Sequence, residues 1–126
     1  MTDFGRPSWE PPQIFVFGSN LAGIHGAGAA LFAKERCGAR YGAGIGIMGR
    51  SYAIPTKDWK IETMELEHIN HHVKVFLDFA TAFDAVEFYV TALGTGLAGY
   101  THADIAPLFK GAPPNCIMPP EWKEYL

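Results

Sequence analysis

Short apolar runs alternate along the chain with longer segments of helical periodicity. Residues 14–17 form a β-rich apolar run that stops at Gly18, a pattern typical of a strand buried on both faces of a parallel sheet. The same pattern predicts three further strands, over residues 51–54 (ended by Pro55), 86–92 and 115–118.

The segments between these runs have the composition and spacing of helices. Residues 29–36 contain good helix formers, with basic residues near the C-terminal end. A longer helix is predicted after Thr63, which can serve as its N-cap. Residues 101–109 are expected to hold a short helix capped by Asp104, with Pro107 in its first turn. The core-facing stripe of the long helix consists of Leu66, Ile69, Val73, Phe76, Leu77 and Ala80.

The order of these elements predicts the fold class. Strands and helices alternate without an internal repeat, which favours a three-layer α/β/α arrangement with a mainly parallel sheet. The chain has 126 residues, of which 48% are hydrophobic, enough for one core and too few for two ordinary domains. Residues 13–126 are therefore predicted to form one domain, after an irregular arm over residues 1–12 that contains three prolines.

Composition narrows the classes of function. The formal net charge of -3 provides no overall cationic field, so nucleic-acid binding along the whole surface is disfavoured. Cys37 and Cys116 lie far apart and have no metal-type spacing, which suits a reducing compartment, and the cytoplasm is the expected location. No apolar run approaches the ~20 residues that cross a bilayer, so membrane insertion is not expected. The oligomeric state is left open.

A first glycine-rich loop follows the first strand and leads into the first helix. It spans residues 18–30, and its small side chains let backbone N–H groups close on an anion at the helix N-terminus. No Gly-Lys-Ser/Thr follows, which excludes a Walker P-loop, and no third glycine completes a dinucleotide fingerprint after Gly26 and Gly28. Phosphate is the expected ligand.

A second loop of similar character, residues 94–100, follows the third strand. Because ligands of such sheets bind outside the carboxyl ends of the strands, both loops are expected at one edge, where they could hold a diphosphate from two sides. The alternative is that the glycines only make tight turns. Residues 38–49 contain five more glycines and predict a mobile or ligand-shaped loop.

These motifs resemble the macro-domain family, over roughly residues 14–109. The resemblance is carried by the Gly-Ser-Asn at 18–20, the Gly-Ala-Gly-Ala-Ala at 26–30 and the Gly-Thr-Gly-Leu at 94–97. The Thr-Lys pair at 56–57, followed by a long helix, is similar to the branch of terminal ADP-ribose glycohydrolases and of antitoxins that remove ADP-ribose from DNA. The resemblance implies ADP-ribose, free or attached to a macromolecule, as the ligand. No bound cofactor and no metal are expected.

Three residues are candidates for catalysis. By the resemblance, Asn20 holds the distal ribose and Lys57 is the catalytic lysine, which acts as a nucleophile only if desolvated. His25 lies in the first loop and could move a proton or bond a phosphate. The alternatives are a turn asparagine, a solvated lysine and a loop-stabilising histidine. The predicted ligand-binding residues are Gly18, Ser19, Asn20, Gly26, Ala27, Gly28, Gly94, Thr95, Gly96, Leu97, Ala98, Gly99 and Tyr100.

Other polar residues leave further alternatives. Asp58 could act as a base beside Lys57 or pair with it at the surface. Trp59 and Lys60 could contact a nucleic-acid substrate by stacking and charge. His68 and His72 have the i, i+4 spacing of metal ligands but lack the glutamate of a His-Glu-x-x-His site, so a solvated helix face is favoured.

Three functions follow in order of preference. The first is hydrolysis of ADP-ribosyl adducts of protein or nucleic acid. The second is a non-catalytic reader of ADP-ribose or a related nucleotide, favoured by Ala98, which stands where some of the resembling hydrolases carry an acidic residue. The third is a nucleotide phosphoribohydrolase on a related fold, suggested by the glycines of residues 42–49.

Overall fold

The structure is a computed structural model that describes residues 12–126, so the predicted arm lies outside the described residues except for Pro12. The helices are α1 (Gly28–Arg36), α2 (Leu66–Ala82) and α3 (His102–Ile105), with 3-10 helices at Ala106–Phe109 and Pro120–Tyr125. The strands are β1 (Gln13–Asn20), β2 (Gly46–Met48), β3 (Ser51–Lys57), β4 (Glu87–Val90) and β5 (Cys116–Ile117).

The five strands form one mixed sheet in the order β2-β3-β1-β4-β5. The pairs β1–β3, β1–β4 and β4–β5 are parallel, and β2 runs antiparallel to β3 at one edge. The prediction of a mainly parallel sheet is therefore confirmed. Because β1, β3 and β4 are parallel neighbours, the loops that follow them leave the same edge of the sheet.

Apolar side chains fill both faces of the sheet. Alternate residues of β1 serve opposite sides: Phe17 packs in a cluster with Ala33 of α1, and Val16 packs in the larger cluster with α2. The predicted stripe of α2 is confirmed, since Ile69, Val73, Phe76, Leu77 and Ala80 are buried and Leu66 is partly buried. The C-terminal 3-10 helix closes the larger cluster through the fully buried Trp122. Helices thus cover both faces, which confirms the three-layer arrangement.

Two strands continue beyond their predicted ends. β1 continues through Gly18 to Asn20, and Gly18 serves close packing there, because an added Cβ would lie 3.1 Å from the Cβ of Leu93. β3 continues through Pro55, which pairs with Ser19. Pairing with β2 ends at Ala53, so at Pro55 the strand has a neighbour on one side only, where a missing N–H is tolerated.

The predicted helix caps also need correction. Helix α2 begins at Leu66 with Glu65 as N-cap, and the Thr63 hydroxyl instead donates to the carbonyl oxygen of Ala98 at 3.0 Å. The N-cap of α3 is Thr101, whose capping box includes Asp104 at the third helical position. Within residues 12–126, no helix combines the length and apolarity needed to cross a bilayer.

Candidate functional site

A cleft of about 540 Å³ opens where the carboxyl ends of β1, β3 and β4 meet. This volume lies in the range of small-molecule sites, roughly 300–1,000 Å³. Both glycine-rich loops line the cleft, so the structure brings together the two segments that the sequence placed at one edge. The predicted site residues that line it are Gly18, Ser19, Asn20, Gly26, Ala27, Gly28, Lys57, Gly94, Thr95, Gly96, Leu97 and Ala98.

The N-terminus of α1 opens into this cleft without a side-chain cap. Its N-cap is Ala27, which provides no hydrogen-bonding side chain. The first helical bond joins the N–H of Leu31 to the carbonyl of Ala27, so the N–H groups of residues 28–30 have no partner within the helix. Unpaired donors and the positive end of the helix dipole together favour an anion at this position.

The second loop adds further backbone donors to the lining of the cleft. Gly94 has a φ of +79°, and its carbonyl accepts from the N–H of Tyr100 at 3.0 Å, which closes the loop. Within the part of the chain that the structure describes, the N–H groups of Gly96, Leu97 and Ala98 reach no protein acceptor. The two loops therefore offer separate sets of amide donors to one cleft.

Asn20 lines the cleft and also fixes the shape of the first loop. Its Oδ1 accepts from the N–H of Ile24 at 3.0 Å, and its Nδ2 donates to the carbonyl of Ile24 at 2.8 Å. The side chain is buried, with 8% of its residue surface exposed. One Nδ2 hydrogen remains for a ligand, because an amide nitrogen carries two. The geometry thus includes the role of a turn asparagine and leaves room for a ligand contact.

Lys57 lies at the end of β3, half-buried, and is the single ionisable side chain among the described residues that line the cleft. Within residues 12–126 no carboxylate or carbonyl bonds its ammonium group. Asp58 does not pair with it: Asp58 Oδ1 accepts from the N–H groups of Lys60 at 2.8 Å and Glu62 at 3.0 Å. The cleft therefore carries one positive charge and, among the described residues, no carboxylate.

The structure places His25 behind the first loop instead of in the cleft, which corrects the prediction that it acts there. The residue is 2% exposed, and its Nε2 lies 2.9 Å from the carbonyl oxygen of Arg40 and 3.1 Å from that of Ala43. Because both neighbours are acceptors, Nε2 carries the hydrogen and donates to them. The ring also meets Phe17 edge-on, at 5.4 Å between centroids. His25 has the contacts of a loop-stabilising histidine.

Gly99 and Tyr100 were predicted to bind ligand, but neither lines the cleft. The hydroxyl of Tyr100 donates to the carbonyl of Met64 at 2.6 Å, and its ring packs against the larger core cluster. This contact joins the second loop to the segment that leads into α2. Tyr100 therefore holds the loop from outside the cleft.

Residues 38–49 pack against the back of the first loop, and none of them lines the cleft. The N–H of Gly42 donates to Gly23, and the Ser19 hydroxyl donates to the carbonyl of Gly44. We call residues 38–49 the brace. The expectation of a ligand-shaped loop is wrong for this segment, and the suggestion of a phosphoribohydrolase loses the observation that prompted it.

Several lining residues were not predicted. Thr91, Ala92 and Leu93 immediately precede the second loop at the end of β4, so the rule that ligands meet carboxyl ends of strands could have found them. Ile24 and Ile61 also line the cleft. Ile24 lies within the predicted first loop, whereas Ile61 belongs to no sequence pattern, and only the folded turn that follows β3 reveals it.

The cysteines and histidines among the described residues do not form a second catalytic or metal-binding site. Burial raises the pKa of Cys37 and raises that of Cys116 to about 11, so neither thiol is a ready nucleophile. Burial, helped by His71 and His68, lowers the pKa of His72. Within residues 12–126 no group of three histidine, cysteine or acidic side chains is placed to hold a metal ion.

Comparison with known proteins supports the fold. No known family's model and no curated protein matches the sequence. The solved structure of Thermosipho africanus DarTG in complex with ADP-ribose is similar, with a TM-score of 0.60 and 18% sequence identity over 86% of this chain. The chain spans 38% of the length of that protein. At this identity the similarity concerns the fold, and it confirms the predicted α/β, macro-domain-like class.

Proposed function

We propose that the cleft binds ADP-ribose, with the diphosphate held between the two glycine-rich loops. The observation that carries this proposal is the convergence of unpaired amides from the α1 N-terminus and from Gly96 to Ala98 on one cleft. Donors from two separate loops suit a ligand with two linked phosphates better than a single phosphate. The similar DarTG structure contains ADP-ribose, which supports this choice among diphosphates.

The charge distribution supports the same ligand. The whole chain has a formal net charge of -3, yet the described cleft wall contains one cation, Lys57, and no carboxylate. A local positive site within an acidic protein favours a specific anion over general polyanion binding. Asn20 is expected to contact ribose hydroxyls with its remaining amide hydrogen.

We infer that the protein hydrolyses ADP-ribosyl adducts of protein or nucleic acid, with Lys57 as nucleophile. The Lys57 ammonium would first release a proton to water, and the neutral amine would then bond to C1 of the distal ribose as the bond to the acceptor breaks, the acceptor leaving with the bonding electrons and taking up a proton. Water would then break the bond between C1 and Lys57 and release ADP-ribose. The alternative mechanism of glycoside hydrolysis requires two carboxylates. The described residues that line the cleft include no such pair.

The second candidate is a reader that binds ADP-ribose without cleaving it. The same cleft composition favours it, since Ala98 lies in the wall and none of the described residues that line the cleft has an acidic side chain to activate water. The two candidates share the binding mode and differ in the role of Lys57. A binding experiment tests what they share, and an assay of released ADP-ribose distinguishes them.

The uncapped N-terminus of α1 provides a test of the phosphate contact. In Ala27→Asp the new carboxylate would cap the helix and so raise the free energy of unfolding by about 1 kcal/mol. The same carboxylate would occupy the free N–H groups and repel a diphosphate, so the affinity for ADP-ribose should fall at least about tenfold, equivalent to about 1.4 kcal/mol. Thermal unfolding and calorimetric titration measure the two opposite changes.

Ala27→Asn is the matched control, because it also caps the helix but carries no charge. It should gain similar stability and lose less affinity than Ala27→Asp. If Ala27→Asp bound ADP-ribose as tightly as the wild type, the proposed contact between the diphosphate and the start of α1 would be wrong.

A further inference from the structure

The turn between β3 and α2 has an unusual backbone. Ile61 has a φ of +64°, and it is the only residue other than glycine with a positive φ in the part of the chain that the structure describes. A β-branched side chain is strongly disfavoured in this region, because its Cβ crowds the backbone. Glycine or asparagine would make the same turn at lower cost.

Hydrogen bonds around Asp58 hold this conformation. Besides its two carboxylate bonds to Lys60 and Glu62, Asp58 donates its N–H to the Glu62 carbonyl at 2.8 Å and accepts from the N–H of Ile61 at 3.2 Å. Lys57 and Thr63 form an antiparallel bridge at the base of the turn. These hydrogen bonds and the bridge fix the conformation of the turn, and they impose the strained φ on Ile61.

The strained residue lines the cleft. Ile61 is 39% exposed and lines the cleft together with Lys57, which lies at the base of the same turn. Leu97 of the second loop and Ile24 of the first loop add two more exposed apolar side chains to the lining. The bond from Thr63 to the Ala98 carbonyl ties the turn to the second loop.

We propose that Ile61 is a specificity-determining residue that packs against the terminal ribose of the ligand beside Lys57. This inference rests on the proposed function, which places that ribose at Lys57. An isoleucine at a positive φ costs folding free energy, and a ligand contact in the cleft is a physical reason for an isoleucine at this position. A ligand that ends at the diphosphate, such as ADP, does not reach this wall.

Ile61→Gly tests the inference, because it removes both the strain and the side chain. We expect the melting temperature to rise by about 3 °C. The affinity for ADP-ribose should fall about tenfold, since an apolar side chain of this size is lost from the contact. The affinity for ADP should stay within about twofold. Ile61→Asn, which also tolerates a positive φ, should behave in the same way.

Ile47→Gly is the matched control: Ile47 is 46% exposed on the edge strand β2, outside the cleft. It should lower the melting temperature, because glycine weakens a strand, and leave both affinities unchanged.

If the wild type bound ADP-ribose no more tightly than Ile61→Gly, the proposed role of Ile61 would be wrong. That result would not overturn the proposed function. Equal losses of affinity for ADP-ribose and ADP would also overturn the role of Ile61, because the contact would then not be with the terminal ribose. A wild type that does not bind ADP-ribose would instead overturn the proposed function itself.

Discussion

Gly44→Ala should lower the free energy of unfolding by about 3 kcal/mol, the upper part of the usual range for overpacking. An added Cβ would lie 1.9 Å from the carbonyl oxygen of Asn20, and neither backbone can move away easily. Asn20 is fixed by its pairing with Lys57 in β3, and the Ser19 hydroxyl donates to the Gly44 carbonyl. Because Asn20 also shapes the first loop, the affinity for ADP-ribose should fall in the same variant. Urea unfolding and titration of the folded fraction measure the two effects.

Gly26→Ala is the control for this substitution. Gly26 also lies in a glycine-rich segment, but no atom lies within 4 Å of a Cβ built there and its φ is not positive. Its free energy of unfolding should stay within about 0.5 kcal/mol of the wild type. If Gly44→Ala were as stable as Gly26→Ala, the brace would not pack against Asn20 as described.

Lys57→Ala should reduce the release of ADP-ribose from ADP-ribosylated DNA or protein by at least about 100-fold, as expected for loss of a nucleophile. The fold should be unaffected, because Lys57 bonds the rest of the protein through its backbone carbonyl, which accepts from the N–H of Leu21 at 3.0 Å. The measurement is the amount of ADP-ribose released over time from both kinds of adduct.

Lys60→Ala provides the matched control, since Lys60 is exposed on the neighbouring turn and does not line the cleft. It should retain wild-type activity. Full activity in Lys57→Ala would contradict the nucleophile assignment and favour direct attack by water. No release by the wild type from either adduct would contradict the hydrolase and leave the reader.

Local pattern was sufficient to predict most of the fold. The apolar stripe of α2 and the strand β1 depend on spacing that the sequence shows directly. The errors occur where a contact with a segment distant in sequence determines the local structure. Pro55 continues β3 because pairing with β2 has already ended, and Thr63 fails as a helix cap because its hydroxyl bonds the distant Ala98. Such contacts cannot be inferred from neighbouring residues.

In the candidate site, too, the features set by local sequence could be predicted and those set by distant segments could not. The two loops could be predicted because small residues after a strand indicate close backbone approach within the loop itself. The position of His25 depends on the brace, whose residues 40 and 43 accept its hydrogen bonds, so its burial was not visible in the first loop alone. Ile61 was missed because a strained turn goes against the local preferences from which sequence predictions are made.

Calorimetric titration of the wild-type protein with ADP-ribose tests the central claim most directly. If amides from both loops hold one diphosphate, we expect saturable binding of one ADP-ribose per chain, weakened in Ala27→Asp. The absence of measurable heat at millimolar ADP-ribose would contradict the proposed ligand and, with it, both the hydrolase and the reader.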